Sequence, residues 1–195
     1  MTSRVVLVTG GNRGIGLSIA REFQKRGDTV VVSHRSGSAP DGLNGVIMDV
    51  TDSASVDAAF KEIEAKFGSV DVLVANAGIT KDGLAVRMSE ADFLDVVNTN
   101  LVGAFRTAQR SISVMMKKKS GRVIFIGSVV GLLGSAGQSN YSATKSGLVG
   151  MARSLAREYG GRGITFNVIA PGFVETDMTS VLSDDLRAKY VAQIP

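Results

Sequence analysis

The feature that most constrains the fold is a regular alternation of short β-branched runs with longer helical patterns along all 195 residues. Several of these runs are apolar throughout, which is typical of strands that are covered on both faces. The predicted strands are Val5–Thr9, Thr29–His34, Val46–Val50, Val70–Asn76, Arg122–Ser128 and Ile164–Ala170. The strand–helix–strand order predicts right-handed crossovers and therefore an α/β fold: a doubly wound parallel sheet with helices on both faces.

Two stretches between the predicted strands carry apolar residues at helical spacing. One stripe is Val56, Phe60, Ile63 and Phe67, and the other is Leu148, Ala152, Leu155 and Tyr159. Such stripes predict helices that pack one face on the sheet. Because ligands of these sheets bind outside the carboxyl ends of the strands, the residues that directly follow the strands are the candidates for function.

The composition excludes several kinds of chemistry. The chain has no cysteine and a single histidine, His34, so disulfides, thiolate nucleophiles, metal sites and a Ser-His-Asp triad are not expected. The net charge of +4 comes without a basic stripe interleaved with aromatic residues, so nucleic-acid binding is not expected. Neither a membrane helix nor a signal peptide is recognisable, and together with the lack of cysteine this predicts a cytoplasmic protein.

A glycine-rich turn follows the first predicted strand and leads into the first predicted helix. It contains Gly10, Asn12, Arg13, Gly14, Ile15 and Gly16. Glycines permit a tight turn and close approach to a pyrophosphate, and the N-terminus of the helix attracts phosphate. The spacing differs from the usual G-x-G-x-x-G, so a purely structural turn is the alternative. Its position before the first helix favours a dinucleotide site.

The end of the second predicted strand indicates which dinucleotide binds. An NAD-binding domain places an acidic residue on the ribose hydroxyls about 20 residues beyond the turn. Here the strand ends at His34 and Arg35, with no acid. Arg35, and Arg13 in the turn, can pair with the 2′-phosphate of NADPH through charge-assisted hydrogen bonds, so NADPH is the predicted cofactor. Two merely solvated arginines are the alternative.

Residues at the ends of the third and fourth predicted strands complete the predicted cofactor site. Asp49 and Val50 end the third strand, and Asn76, Ala77 and Gly78 end the fourth. Both ends are expected to line the adenine side of the crevice. Asp49 can accept a hydrogen bond from the adenine amino group, and Gly78 leaves room for the cofactor.

Tyr141 and Lys145 are four residues apart, which places a phenol and an ammonium on one face of a helix. A phenol with the ordinary pKa of about 10 exchanges protons poorly at neutral pH, and a nearby ammonium lowers that pKa. A surface tyrosine beside a surface lysine is the alternative. Ser128 favours the catalytic interpretation, because it ends the fifth predicted strand, where a substrate oxygen would lie.

These motifs resemble the short-chain dehydrogenase/reductase family along the whole chain. The resemblance is carried by Thr9–Gly16, Asn76–Gly78, Asn100, Ser128, Tyr141 with Lys145, and Pro171–Gly172. It implies a Rossmann-like sheet in which Tyr141 is the general acid and Ser128 binds the carbonyl. It also implies that Lys145 holds the nicotinamide ribose and lowers the Tyr141 pKa, while Asn100 fixes a water that relays protons to Lys145. The residues implied to border the nicotinamide are Pro171, Gly172, Val174 and Thr176.

Within the family, the chain resembles the β-ketoacyl-[acyl-carrier-protein] reductases of fatty-acid synthesis. This closer resemblance is carried by residues 78–84, 87–88, 98–101, 127–133 and 170–178. His34–Arg35 and Gly11–Arg13 resemble the actinobacterial members. The resemblance implies reduction of a 3-oxoacyl thioester to a 3-hydroxyacyl thioester, a homodimer or homotetramer, and a basic surface at Lys119 and Arg162 that docks an acidic acyl carrier protein. A solvated loop is the alternative for the basic run Lys117–Lys119.

The end of the chain departs from the family pattern, which continues with another helix and a seventh strand. One NADP-binding domain over residues 1–195, without its last strand and helix, is therefore expected, and pocket closure and tetramer assembly would be affected. The nearest alternative function is another short-chain reductase, acting on acetoacetyl-CoA, a polyketide or a simple ketone. From a different class, a catalytically silent dinucleotide-binding or assembly subunit stays open.

Overall fold

A parallel β-sheet organises the described part of the chain. The computed structural model describes residues 3–175 together with residues 188, 191, 192 and 194. The strands are β1 (Val5–Val8), β2 (Thr29–His34), β3 (Asn44–Ile47), β4 (Val72–Ala75), β5 (Gly121–Ile126) and β6 (Ile164–Ile169). They pair in parallel in the order β3-β2-β1-β4-β5-β6. The predicted doubly wound parallel sheet is therefore confirmed.

Helices connect the strands. They are α1 (Gly14–Lys25), α2 (Ser53–Phe67), α3 (Glu90–Val97), α4 (Gly103–Lys118), α5 (Val130–Leu133) and α6 (Ser139–Tyr159). A π-helical turn over Asn98–Val102 joins α3 directly to α4. Side chains fix where α2 and α3 begin, since Asp52 accepts from the N–H of Ala54 at 3.0 Å and Ser89 accepts from the N–H of Asp92 at 3.0 Å. No described helix is long and apolar enough to cross a membrane.

Different helices cover the two faces of the sheet. Strand residues such as Leu7 and Val31 belong to a core with the apolar faces of α2, α4 and α6. Their neighbours in the strands, such as Val6 and Val32, pack with residues of α1. The inner strands β1 and β4 are buried throughout, which explains their uninterrupted apolar sequences. Both predicted helical stripes face the first core, and only their last members, Phe67 and Tyr159, are partly exposed.

β2 covers the predicted residues, whereas the other five strands end earlier than predicted and β3 differs most. It covers Asn44–Ile47 instead of residues 46–50. The chain leaves the sheet before Asp49, because Asp49 Oδ1 accepts from the N–H and the hydroxyl of Thr51 at 2.8 and 2.7 Å and so turns the chain toward α2. Asn76 and Ser128 likewise lie just beyond β4 and β5. The polar residues expected at strand ends therefore lie just beyond the carboxyl edge of the sheet.

Candidate active site

The glycine-rich turn lies between β1 and β4, where the order of the strands reverses. Asn76 holds it in place, since its Nδ2 donates to the carbonyls of Thr9 and Gly10 at 2.9 and 3.2 Å. The hydroxyl of Thr9 in turn accepts from the N–H groups of Asn76 and Ala77, both at 3.0 Å. Gly10 has a φ of +61°, and a Cβ there would lie 3.1 Å from Ala77 Cα. Only glycine fits this position without strain.

The first turn of α1 is open to an anion. The helix begins at Gly14, the preceding Arg13 makes no side-chain cap, and the first turn carries no acidic residue. Its free N–H groups and the positive end of its dipole suit a pyrophosphate. A cleft of about 470 Å³ runs from this turn to the segment after β6, lined by Gly14, Ile15, Leu17, Ser18, Ile19, Pro171, Val174 and Glu175. Residues predicted to contact the pyrophosphate and the nicotinamide therefore share one cleft.

Three further predicted cofactor residues lie close in sequence to residues that line this cleft. Asn12 belongs to the glycine-rich turn, Gly16 is buried in the first turn of α1, and Gly172 follows Pro171. Thr176 lies outside the described residues, as does most of the chain after it.

A second cleft of about 410 Å³ opens on the predicted adenine side. It is lined by Arg35, Thr51, Ile79, Thr80, Lys81, Asp95, Asn98 and Thr99. Arg35 and Arg13 are exposed, and neither forms an ion pair with any described residue. Hydrogen bonds from Thr51 hold the pKa of Asp49 below its ordinary value, and the charges of Arg35 and Arg106 contribute. Asp49 is therefore an ionised acceptor at neutral pH.

The structure brings Ser128, Tyr141 and Lys145 together at the carboxyl end of β5. The Ser128 side chain lies close enough to the Tyr141 hydroxyl to stabilise its phenolate. Lys145 is only 5% exposed, and its Nζ donates to the carbonyl of Ile126 at 2.7 Å. The same Nζ lies 5.3 Å from the centre of the Tyr141 ring. The alternative of a surface tyrosine beside a surface lysine is therefore wrong.

Burial controls the proton affinities of this group. It raises the pKa of Tyr141 above the ordinary value; the hydrogen bond from Ser128 opposes this shift and the Asp82 carboxylate adds to it. Burial also lowers the pKa of Lys145 to about 8. The Lys145 ammonium is directed at the Ile126 carbonyl, and its implied role in lowering the Tyr141 pKa stays a prediction.

Asn100 lies in the π-helical turn and is buried. Its Oδ1 accepts from the N–H of Ile79 at 2.8 Å and its Nδ2 donates to the Ile79 carbonyl at 2.9 Å. The Nδ2 also lies 3.5 Å from the hydroxyl of Thr144, the residue before Lys145. Asn100 is therefore fixed beside α6, whereas its implied role in holding a water stays a prediction. Turns of the π type are frequent at functional sites.

Buried polar residues that the sequence left unassigned support the site. The Ser33 hydroxyl accepts from the N–H of Gly10 at 3.2 Å. Asn140 accepts from the N–H of Tyr141 at 2.7 Å and donates to the Lys81 carbonyl at 2.9 Å, which ties α6 to the segment after β4. Ser33, like Thr9, is a polar residue within an apolar run, and this was the available indication. Nothing in the sequence marked Asn140.

Lys119 and Arg162 lie away from this group. Lys119 directly follows α4 and precedes β5, and Arg162 precedes β6, whereas Ser128 follows β5. The six residues of β5 separate the two ends of the strand by about 20 Å. Lys119 and Arg162 are exposed, while Lys118 pairs with Asp71 at 2.7 Å.

Among the described residues, no cluster of three or more His, Cys, Asp or Glu side chains could hold a metal ion.

Comparison with known proteins decides the family. The family model described as short chain dehydrogenase matches residues 4–187. The chain belongs to the short-chain dehydrogenases. One relative, the 3-oxoacyl-[acyl-carrier-protein] reductase MabA of Mycobacterium avium, is 53% identical over 193 residues, covering 99% of this chain and 76% of that protein. The 3-oxoacyl-[acyl-carrier-protein] reductase FabG of Escherichia coli K12 is 48% identical over 200 residues, covering 98% and 82%.

A solved structure agrees with the fold of this short-chain dehydrogenase. The crystal structure of gox2181 superimposes with a TM-score of 0.95 at 32% identity, covering 100% of this chain and 82% of that one. The predicted Rossmann-like fold and the predicted family resemblance are both confirmed. Membership of this family implies a nicotinamide dinucleotide as cofactor.

Proposed function

We propose that this short-chain dehydrogenase uses NADPH to reduce 3-oxoacyl thioesters, carried by acyl carrier protein, to 3-hydroxyacyl thioesters in fatty-acid synthesis. The observation that carries the proposal is the joint placement of Ser128, Tyr141 and Lys145 at the carboxyl end of β5. Relatives that are 53% and 48% identical and are named 3-oxoacyl-[acyl-carrier-protein] reductase support the choice of substrate.

Tyr141 and Ser128 act on the carbonyl oxygen of the substrate. Ser128 binds this oxygen and polarises the carbonyl, and Tyr141 donates the proton that converts it into a hydroxyl. The raised pKa of the buried phenol keeps Tyr141 protonated before the transfer. When bound, a nicotinamide dinucleotide would supply the hydride for the carbonyl carbon.

Lys145 and Asn100 support Tyr141. The Lys145 ammonium binds the nicotinamide ribose, and its positive charge near the ring favours the phenolate that remains after proton transfer. Asn100, fixed by Ile79 beside Thr144, holds the water that returns a proton toward Lys145.

The cofactor residues divide among three parts of the crevice. The first turn of α1 binds the pyrophosphate, and Asp49, Val50 and the segment Asn76–Gly78 line the adenine side. The segment after β6 borders the nicotinamide. Arg13 and Arg35 are exposed cations without ion pairs in the described part of the chain, which supports NADPH over NADH.

The family resemblance supports a homodimer or homotetramer in the cytoplasm. Leu84, Val86 and Leu94 are apolar side chains that are 57%, 89% and 53% exposed. Their exposure provides apolar surface that a second copy of the chain would cover.

The test is the loss of NADPH absorbance with an acetoacetyl thioester, measured for the wild type and for Tyr141→Phe. Removing the general acid is expected to lower kcat by about 10²- to 10⁴-fold. Tyr159→Phe is the matched control, because Tyr159 also lies on α6 but its ring packs 6.2 Å from that of Phe166. It is expected to leave turnover unchanged.

Three outcomes would contradict the proposal. Wild-type protein that binds NADPH without turning over any thioester would favour the silent binding subunit. Turnover of simple ketones in preference to thioesters would favour another short-chain reductase. Full activity of Tyr141→Phe would remove Tyr141 from the chemistry.

A further inference from the structure

Arg106 connects two segments that border the predicted cofactor site. It lies in the first turn of α4, and its Nη1 donates to the Val50 carbonyl at 3.2 Å and to Asn98 Oδ1 at 2.9 Å. Val50 follows β3 on the predicted adenine side. Asn98 opens the π-helical turn that carries Asn100. One nitrogen therefore joins the predicted adenine side of the crevice to the π-helical turn beside α6.

Close packing brings Arg106 within reach of Val50. A Cβ added at Gly103, the first residue of α4, would lie 2.8 Å from Val50 Cγ2 and 3.2 Å from the Val50 carbonyl oxygen. The start of α4 can approach this segment only because residue 103 has no side chain. Arg106 follows within the same turn, so its guanidinium reaches the Val50 carbonyl.

The π-helical turn explains why Asn98 and Arg106 face each other. In a regular α-helix, residues eight apart are rotated by about 80° around the axis. The wider π-helical turn over Asn98–Val102 holds more residues per turn and removes much of this rotation. Asn98 and Arg106 therefore lie on the same side of the helical rod.

Arg106 also provides a hydrogen-bond donor to the backbone of the Asp49–Val50 segment. Val50 is buried, and Arg106 is the donor to its carbonyl in the described part of the chain. A buried carbonyl that loses its donor costs free energy, so the segment would shift to find another. The positive charge of Arg106 also helps to hold the pKa of the neighbouring Asp49 below its ordinary value.

We infer that Arg106 is a positioning residue of the cofactor site, which holds the Asp49–Val50 segment and the π-helical turn in the arrangement that binds the adenosine half of the dinucleotide. A binding surface that is already formed loses less entropy when the ligand binds. The inference rests on the proposed function, because it takes Asp49 and Val50 to line the adenine side.

The experiment compares Arg106→Met with Arg110→Met, one turn further along α4. Arg110 forms hydrogen bonds with Glu64 at 2.8 Å and with Asp57 at 3.2 Å, so it joins α4 to α2 and not to the crevice. The dissociation constants of NADPH and of 2′,5′-ADP, which carries only the adenosine half, are measured beside Tm and kcat. Arg106→Met is expected to raise both dissociation constants about tenfold, whereas Arg110→Met leaves them unchanged.

Two further variants keep the test independent of folding. Arg106→Lys retains the charge but reaches one acceptor at a time, so it is expected to restore part of the affinity. Asn98→Ala removes one of the two bonds and is expected to weaken 2′,5′-ADP less than Arg106→Met does. In every variant kcat at saturating NADPH is expected to change far less than the dissociation constants, because Arg106 does not touch the reacting atoms.

The results distinguish this inference from the proposed function. The inference would be overturned, and the proposed function would stand, if the wild type turned over the thioester and Arg106→Met bound 2′,5′-ADP as tightly as the wild type does. Equal losses of affinity in Arg106→Met and Arg110→Met would also overturn it, because they would reflect general destabilisation. Wild-type protein that binds neither NADPH nor 2′,5′-ADP would overturn the proposed cofactor site itself.

Discussion

Arg35 is the residue on which the proposed preference for NADPH chiefly depends. It is exposed just after β2 and lines the cleft on the adenine side. Replacing it with Asp is expected to reverse the cofactor preference, because a carboxylate repels the 2′-phosphate and accepts hydrogen bonds from the ribose hydroxyls of NADH. The ratio of kcat/KM with NADPH to kcat/KM with NADH is expected to fall by about 10- to 100-fold.

A second arginine serves as the control for this substitution. Arg153 is exposed on α6, so Arg153→Asp makes the same change in net charge without altering the end of β2. Its cofactor ratio is expected to match that of the wild type. An Arg35→Asp protein with an unchanged ratio would show that NADPH is selected elsewhere, with Arg13 as the next residue to replace.

At the scale of secondary-structure elements, the contact between α5 and α6 positions Lys145. A Cβ added at Gly131 in α5 would lie 2.8 Å from both the carbonyl carbon and the Cβ of Lys145. Gly131→Ala is therefore expected to push the two helices apart and to move Lys145 away from the Ile126 carbonyl. Such overpacking is expected to lower the free energy of unfolding, measured in urea, by about 1–3 kcal/mol. The value of kcat is also expected to fall, because Lys145 is displaced.

Gly150 provides the matched control on α6. It lies in the interior of the helix, and a Cβ there meets nothing within 4 Å. Gly150→Ala is expected to stabilise the protein by about 0.5–1 kcal/mol, because alanine has the higher helix propensity, with no change in turnover. If Gly131→Ala were as stable and active as the wild type, the contact between α5 and α6 would not determine where Lys145 lies.

Some of the secondary-structure elements could be predicted from the sequence and others could not. Buried strands such as β1 and β2 are recognisable because apolar runs are local features, and the residues that follow them mark the crevice. The predicted end of β3 was wrong, because strand propensity does not decide where the pairing of β3 with β2 stops. Hydrogen bonds within Asp49–Ser55 turn the chain away from the sheet there. The helical spacing of Tyr141 and Lys145 predicted that they share a helix face. The hydrogen bond from Lys145 to the Ile126 carbonyl depends on tertiary packing and could not be predicted from this spacing.

At the scale of the whole molecule, the contacts that support the site join residues far apart in sequence. Asn100 binds Ile79, and Arg106 binds Val50 across 56 positions. No local pattern in the sequence specifies such pairs, because they form only when the order of the strands brings their ends together. The family motifs identified Asn100. Arg106 belongs to none of the motifs described above, so its contacts could be found only in the structure.

The docking of acyl carrier protein that the family resemblance implies also involves the whole molecule. Lys119 and Arg162 both precede strands, so they lie at the amino edge of the sheet, and Ser128 lies at the carboxyl edge. A carrier bound to this pair must span about 20 Å along β5 to present its thioester, or present it to a neighbouring copy of the chain. Docking there therefore requires a long flexible arm on the substrate or an oligomer.

Charge reversal at both positions tests this docking surface. Asp is used at residue 119, because Lys119 has a φ of 52° and Asp tolerates that conformation better than most residues, and Glu is used at residue 162. The double variant is expected to raise the KM for a carrier-bound thioester about tenfold, with no effect on a small thioester analogue. Lys25→Glu with Lys66→Glu, on α1 and α2, makes the same change in net charge and is expected to alter neither KM. Equal effects of the two double variants would mean that the carrier responds to net charge alone, and Lys119 and Arg162 would not form a docking site.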